Sequence, residues 1–153
     1  MDRIYIDGFP RSGNVFTQQV LENAFPQAFV TPFTHSVPVL TKEHFVLIRN
    51  PNVSISSFMN FFQEFDKDAC ERWWLRFHNA VLDKTSPERW IFFEDLTNKT
   101  EQTVECIGNI VGIEPIKINY SSLSKNSTRE SYPLYSFNKA QELYTKLKQK
   151  GQK

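Results

Sequence analysis

The sequence predicts an α/β domain with a mostly parallel central sheet flanked by helices. Three observations predict it. Short β-branched and aromatic runs alternate with segments of helical period along the chain. One run, His44-Phe45-Val46-Leu47-Ile48, is apolar almost without interruption, as in a parallel strand buried on both faces. A turn containing Gly8 and Gly13 joins the first strand to the first helix. At 153 residues the chain is long enough for one domain, 1–153, with a sizeable core.

Arg3-Ile4-Tyr5-Ile6-Asp7 is short, β-branched and aromatic, which makes it the first strand. After the turn, Phe16, Val20 and Leu21 share one face of a helix that ends near Phe25-Pro26. Pro26, Pro32 and Pro38 then oppose a long helix. Ala28-Phe29-Val30-Thr31 fits a short strand leading into the loop Phe33–Pro38. The buried run ends in Arg49-Asn50-Pro51, and a helix follows over about 52–65, with Ile55, Phe58, Phe62 and Phe65 at helical spacing. A further helix over about 68–82 carries Trp73, Trp74, Phe77, Val81 and Leu82, and Ser86-Pro87 breaks it. Trp90-Ile91-Phe92-Phe93 is a short buried strand ending in Glu94-Asp95. Thr100 to Val111 is amphipathic, with Val104, Ile107 and Val111 aligned and Gly112 as its stop. Tyr120 to Tyr135 is polar, Ser-rich and without period. A last helix spans about 138–150 and ends in a basic, solvated tail.

Composition narrows the partners. Eighteen basic and 17 acidic side chains give a net charge of +1, which does not support nucleic-acid or membrane-surface binding. The 14 phenylalanines predict an aromatic-rich core and aromatic pocket walls. Cys70 and Cys106 lack metal-ligand spacing and are expected as buried free thiols in a reducing compartment. No metal site is expected. The N-terminus runs straight into a strand, so no signal peptide is expected, and no stretch is apolar for long enough to cross a bilayer. The expectation is a soluble, cytoplasmic protein. Oligomeric state leaves no signal in the sequence.

The chemistry concentrates at Gly8-Phe9-Pro10-Arg11-Ser12-Gly13-Asn14. A turn between strand and helix aims free backbone N–H groups and the positive end of a helix dipole at one point, where phosphate or sulfate fits. The spacing of the two glycines matches a Walker A loop, but Asn14 and Val15 stand where its Lys and Ser or Thr belong. The cation sits inside the loop instead, as Arg11. The pattern describes an anion cradle for something other than a magnesium nucleoside triphosphate; a tight βα turn without ligand is the plain alternative. In parallel α/β sheets ligands bind beyond the C-terminal strand ends, which puts the glycine turn, the His35 loop, Arg49 and the Phe93 region on one rim.

These segments resemble those of the sulfotransferases that use 3'-phosphoadenosine 5'-phosphosulfate (PAPS). Phe9-Pro10-Arg11-Ser12-Gly13-Asn14-Val15-Phe16 is similar to the family's 5'-phosphosulfate loop, Pro-Lys-Ser-Gly-Thr-Thr-Trp. Thr34-His35-Ser36-Val37-Pro38 resembles its Thr-His-Leu-Pro segment. Val46-Leu47-Ile48-Arg49-Asn50-Pro51, with Ser57 eight residues after Arg49, resembles its 3'-phosphate segment. Phe92-Phe93-Glu94-Asp95-Leu96 is similar to Tyr-Glu-Asp-Leu. Each segment is weak alone; the order and spacing of the four carry the resemblance. It implies a P-loop-type three-layer fold and transfer of a sulfuryl group from PAPS to a small-molecule or glycan acceptor bearing a hydroxyl or amine. The product nucleotide is adenosine 3',5'-bisphosphate (PAP).

The resemblance also implies roles. Arg11, Ser12, Gly13, Asn14 and Val15 would hold the 5'-phosphate, with Arg11 also taking up leaving-group charge. Arg49 and Ser57 would hold the 3'-phosphate, and Phe16 and Phe93 would flank adenine. His35 would be the general base, since an imidazole titrates near neutral pH. His44 and His78 lack that context and are expected to be structural. Ser56 competes with Ser57, and Trp73 and Trp74 suit core or the acceptor-pocket wall. The chain departs from the family at Arg11 for Lys, Asn14 and Val15 for two Thr, Phe16 for Trp, and Phe33 where a Lys often stands. It has no clear C-terminal Arg-Lys-Gly segment, for which Arg129 is the candidate substitute. Two alternatives remain beside the sulfotransferase: a P-loop nucleotide kinase-like enzyme, and a non-catalytic PAPS- or PAP-binding module.

Overall fold

Between Asp2 and Gly8 the chain serves two parallel sheets and changes neighbour at Tyr5. In the computed structural model, which describes residues 2–123 and 132–152, β1 (Asp2–Ile4) and β2 (Ile6–Gly8) lie on either side of that residue. β1 pairs with β3 (Ala28–Val30) in a two-stranded sheet. β2 pairs with β4 (Phe45–Ile48), and β4 with β5 (Trp90–Phe92), in a three-stranded sheet ordered β2-β4-β5. The Tyr5 carbonyl accepts from Phe45 N at 2.7 Å, so β4 pairing begins one residue after β1 ends. The fold is α/β with parallel pairing throughout the described strands, and its sheets are narrow.

Six α-helices complete the described chain: α1 (Asn14–Ala24), α2 (Pro51–Phe61), α3 (Lys67–Lys84), α4 (Phe93–Asn98), α5 (Thr100–Val111) and α6 (Asn138–Gly151). All four residues of β4 are buried, and they alternate between two cores because successive strand side chains point to opposite faces. Val46 and Ile48 join a core built with Ile55 and Phe58 of α2, Trp74, Phe77 and Val81 of α3, and Ala140 and Leu147 of α6. Phe45 and Leu47 join the other, with Phe16, Val20 and Leu21 of α1, Leu96 of α4, and Val104 and Ile107 of α5. The apolar run of β4 is thus explained by burial on both faces.

The helix ends follow capping chemistry. Asn50 caps α2 by accepting from Asn52 N at 2.9 Å, with Pro51 in the first turn. Asp66 caps α3 by accepting from Ala69 N at 2.7 Å. That cap is why α2 stops at Phe61 and not near Phe65: the intervening residues must turn the chain toward Asp66. Gly112 closes α5 with φ of 75°, as a left-handed stop. β5 ends at Phe92, one residue earlier than the sequence suggests, because Phe93 opens α4 with Glu94 and Asp95 in its first turn. Tyr144 of α6 donates to Glu94 Oε1 at 2.7 Å, and burial, with Glu94 beside it, pushes that phenol's pKa up. Of the two free thiols, Cys70 is buried, but Cys106 is exposed, because it lies on the face of α5 opposite Val104 and Ile107.

His78 is structural, as its context suggested. It is fully buried and stacked on Trp74, ring centroids 3.7 Å apart, and its Nδ1 donates to the Trp74 carbonyl at 2.8 Å. Burial holds its pKa down to about 3, from the ordinary 6.5. The folded state therefore refuses a proton that the unfolded chain accepts. Its contribution is complete above pH 6.5 and shrinks as pH falls toward 3, by up to about 1.4 kcal/mol per pH unit. Urea unfolding of wild type and His78→Met across this range should show a steeper acid loss in wild type; equal slopes would remove His78 as the cause.

Candidate functional site

β2 ends in Asp7 and Gly8, and one carboxylate shapes the loops beyond them. Asp7 is 1 % exposed. Its Oδ1 accepts from Gly8 N at 2.8 Å, Thr34 N at 3.1 Å and His35 N at 2.8 Å, and its Oδ2 accepts from the Thr34 hydroxyl. A buried carboxylate needs such donors, and here they come from a loop 27 and 28 residues away in sequence. The loop bearing His35 is thereby fastened to the end of the strand that opens the glycine turn.

His35 adopts φ of 59°, a left-handed conformation that a side chain with Cβ rarely takes. Its Nδ1 lies 2.7 Å from the Gly8 carbonyl. A carbonyl only accepts, so Nδ1 carries the proton, and in the neutral ring Nε2 keeps its lone pair. The Phe33 ring lies 6.4 Å from the imidazole, centre to centre. Phe33 is therefore an apolar neighbour of the histidine.

The glycine turn meets α1 at Gly13, the residue preceding its first turn, with φ of 93°. Thr17 N donates to the Gly13 carbonyl at 3.1 Å, so the amides of Asn14, Val15 and Phe16 precede the first intrahelical bond. A Cβ on Gly13 would lie 2.1 Å from the Phe93 ring, so glycine is required here by space as well as by φ. Arg11 is the other non-glycine residue with positive φ among the described residues, at 63°. The two left-handed non-glycine positions are thus both among the residues that the sequence singled out for chemistry.

Arg11, Gly13, Asn14, Val15, Phe16, His35, Arg49, Ser57 and Phe93 all line one cavity of about 680 Å³. Arg11 Nε donates to Ser57 Oγ at 3.1 Å, and its guanidinium lies 4.8 Å over the Phe61 ring. Arg49 Nη1 donates to the Arg11 carbonyl at 3.3 Å, and its guanidinium lies 4.6 Å over the Phe93 ring. The glycine turn and the guanidinium at the end of β4 are therefore neighbours. Ser56 separates from Ser57: its hydroxyl accepts from Tyr135 N at 2.9 Å and ties the segment before α6 to α2.

Two placements differ in detail from the sequence reading, those of Ser12 and of the Phe16–Phe93 pair. Ser12 is fully buried with an unpartnered hydroxyl and is not part of the cavity wall. Phe16 and Phe93 meet edge to face, 6.5 Å apart and 83° between planes, so they offer no pair of parallel faces to a base. Trp73 lines the cavity, whereas Trp74 is core. Arg129 lies outside the described residues. Sequence reasoning missed Asp7 as an organiser. An Asp between an apolar strand residue and the first glycine was the available signal, but a strand-end Asp is as often solvated. No protein-family model matches the chain, and no curated protein gives a significant match.

Two substitutions test this arrangement. Asp7→Ala strands three backbone or hydroxyl donors of the His35 loop and should lower stability by on the order of 1–3 kcal/mol in chemical unfolding. Gly13→Ala should destabilise by a similar order, ~1–3 kcal/mol, through the Phe93 clash and the forced φ. A Gly13→Ala protein as stable as wild type would contradict the placement of Phe93.

Proposed function

We propose that the chain is a PAPS-dependent sulfotransferase, acting on a hydroxyl or amine acceptor with His35 as general base. The observation that carries this reading is the His35 ring. Its Nδ1 is committed to the Gly8 carbonyl, and it shares a cavity with the α1 N-terminus, Arg11 and Arg49. One proton acceptor at Nε2 and two guanidiniums suit a transfer between an anionic donor and a protic acceptor. PAPS supplies the sulfuryl group, which ends on the acceptor oxygen or nitrogen while PAP leaves with the bonding electrons.

The residues present fit a doubly anionic nucleotide. The first-turn amides of α1 and Arg11 bind one anionic end through charge-assisted hydrogen bonds. Arg49 binds the other. His35 Nε2 takes the acceptor proton, and Asp7 keeps the ring on station through the loop backbone. Asn14 and Val15 in place of the Walker lysine and hydroxyl argue for a loop that works without magnesium. The P-loop-type three-layer reading of the fold is supported by the helices that serve separate cores on the two faces of β4. A cytoplasmic setting fits two unpaired thiols, and no helix among the described residues is long and apolar enough to cross a membrane.

A second reading, a nucleotide-binding module without turnover, is favoured by Val15. It is 59 % exposed on the first turn of α1 and offers no hydroxyl where the family has one.

Calorimetry with PAP in EDTA should show binding that Arg49→Ala weakens at least tenfold, about 1.4 kcal/mol or more. His35→Asn tolerates the left-handed backbone and should abolish turnover while leaving PAP affinity within about twofold, as in a general-base loss. Preference for ATP with magnesium over PAP, or full activity in His35→Asn, would overturn the assignment. PAP binding without transfer to any hydroxyl or amine tested would select the second reading.

A further inference from the structure

The cavity has a second end, and its chemistry differs from the first. Past Arg11 its wall is made of Phe61, Phe62 and Phe65, from the end of α2 and the turn after it, and Trp73 of α3; Phe62, Phe65 and Trp73 rest on Phe58, and Phe61 on Phe62. Phe58 is 1 % exposed and touches Phe62, Phe65 and Trp73 at centroid distances of 4.8, 5.9 and 5.2 Å. The rings above it stay open: Phe61 is 61 % exposed, Phe65 40 % and Trp73 41 %. Three large aromatic side chains held in solvent at the mouth of a cavity form an apolar patch that calls for a ligand.

From this we infer that the acceptor is a ring-bearing, apolar hydroxyl or amine compound, an aryl alcohol or arylamine, and not a glycan. The inference rests on the sulfotransferase reading for the word acceptor, and on the cavity wall for the class. An aryl ring stacks on or meets these rings edge to face and removes their apolar surface from water. A glycan brings several hydroxyls, each needing a partner. Of the four rings in that wall only the Trp73 indole carries a hydrogen-bonding group, with Glu64 beside them, and a buried hydroxyl left without a partner is costly. Arg11 marks the boundary: its guanidinium covers Phe61 on the aromatic side while its Nε holds Ser57. A ring seated against Phe65 and Trp73 therefore shares one continuous cavity with His35, where its single protic group is needed.

The test is calorimetric titration with 2-naphthol and, separately, methyl glucoside, on wild type, Phe65→Ala, Trp73→Ala and the double variant, with PAP titrated in parallel. Both side chains are well exposed, so the variants should fold, and unchanged circular dichroism checks this. The expected result is 2-naphthol binding that each single variant weakens threefold or more and the double variant tenfold or more. PAP affinity should stay within twofold, and methyl glucoside should show no binding at matched concentration. If 2-naphthol does not bind, or binds regardless of both substitutions, or methyl glucoside binds as tightly, the inference is overturned even where PAP binds normally. If the 2-naphthol pattern holds and PAP fails to bind, the aromatic site stands and the donor assignment falls.

Discussion

One buried carboxylate holds the site together. Asp7 closes β2 and takes hydrogen bonds from its own neighbour Gly8 and from Thr34 and His35. A carboxyl group with almost no exposure is tolerated only when hydrogen-bond partners surround it. The satisfaction of Asp7 and the placement of His35 are therefore the same set of bonds. The left-handed backbone at His35 has the same origin: the loop must present two successive amides to one carboxylate and still send the imidazole to the Gly8 carbonyl.

The cations are held by a different device. Arg11 and Arg49 each lie over an aromatic ring, Phe61 and Phe93, and each takes part in a hydrogen bond within the site, to Ser57 and to the Arg11 carbonyl. A planar guanidinium can stack on a ring and still direct a fixed fork of N–H groups elsewhere, a geometry that a lysine ammonium lacks. That gives a physical sense to arginine inside the glycine turn. Phe93 serves twice, as the ring beneath Arg49 and as the surface that leaves no room for a side chain at Gly13. The turn, the strand-end arginine and the start of α4 are thus fitted to one another.

The polar and aromatic ends of the cavity come from separate parts of the chain. The cradle and the histidine loop come after β2 and β3, whereas the aromatic wall belongs to the α2–α3 turn. Phe61 and Phe65 extend past the buried stripe that α2 presents to its core. Helical spacing groups Ile55, Phe58, Phe62 and Phe65 as one core face; the Asp66 cap ends α2 early and turns Phe65 out toward the cavity.

From local patterns in the sequence came the α/β alternation, the two-faced burial of β4, most helix spans, and the glycine turn with Arg11, the His35 loop and Arg49 on one rim, whereas Ser57 came from the family resemblance. The former are legible because they depend on local periodicity, on turn chemistry, and on the rule that functional loops follow parallel strands. Tertiary structure alone decided that Asp7 anchors the histidine loop, that Ser57 meets Arg11, that Phe16 and Phe93 meet edge to face, and that Trp73 and Phe65 face a cavity while Trp74 is core. Each of those is a contact between side chains tens of residues apart, or a choice between inside and outside set by where one helix stops. Such distances and directions are written in no local pattern, because they arise only when separate elements compete for the same space.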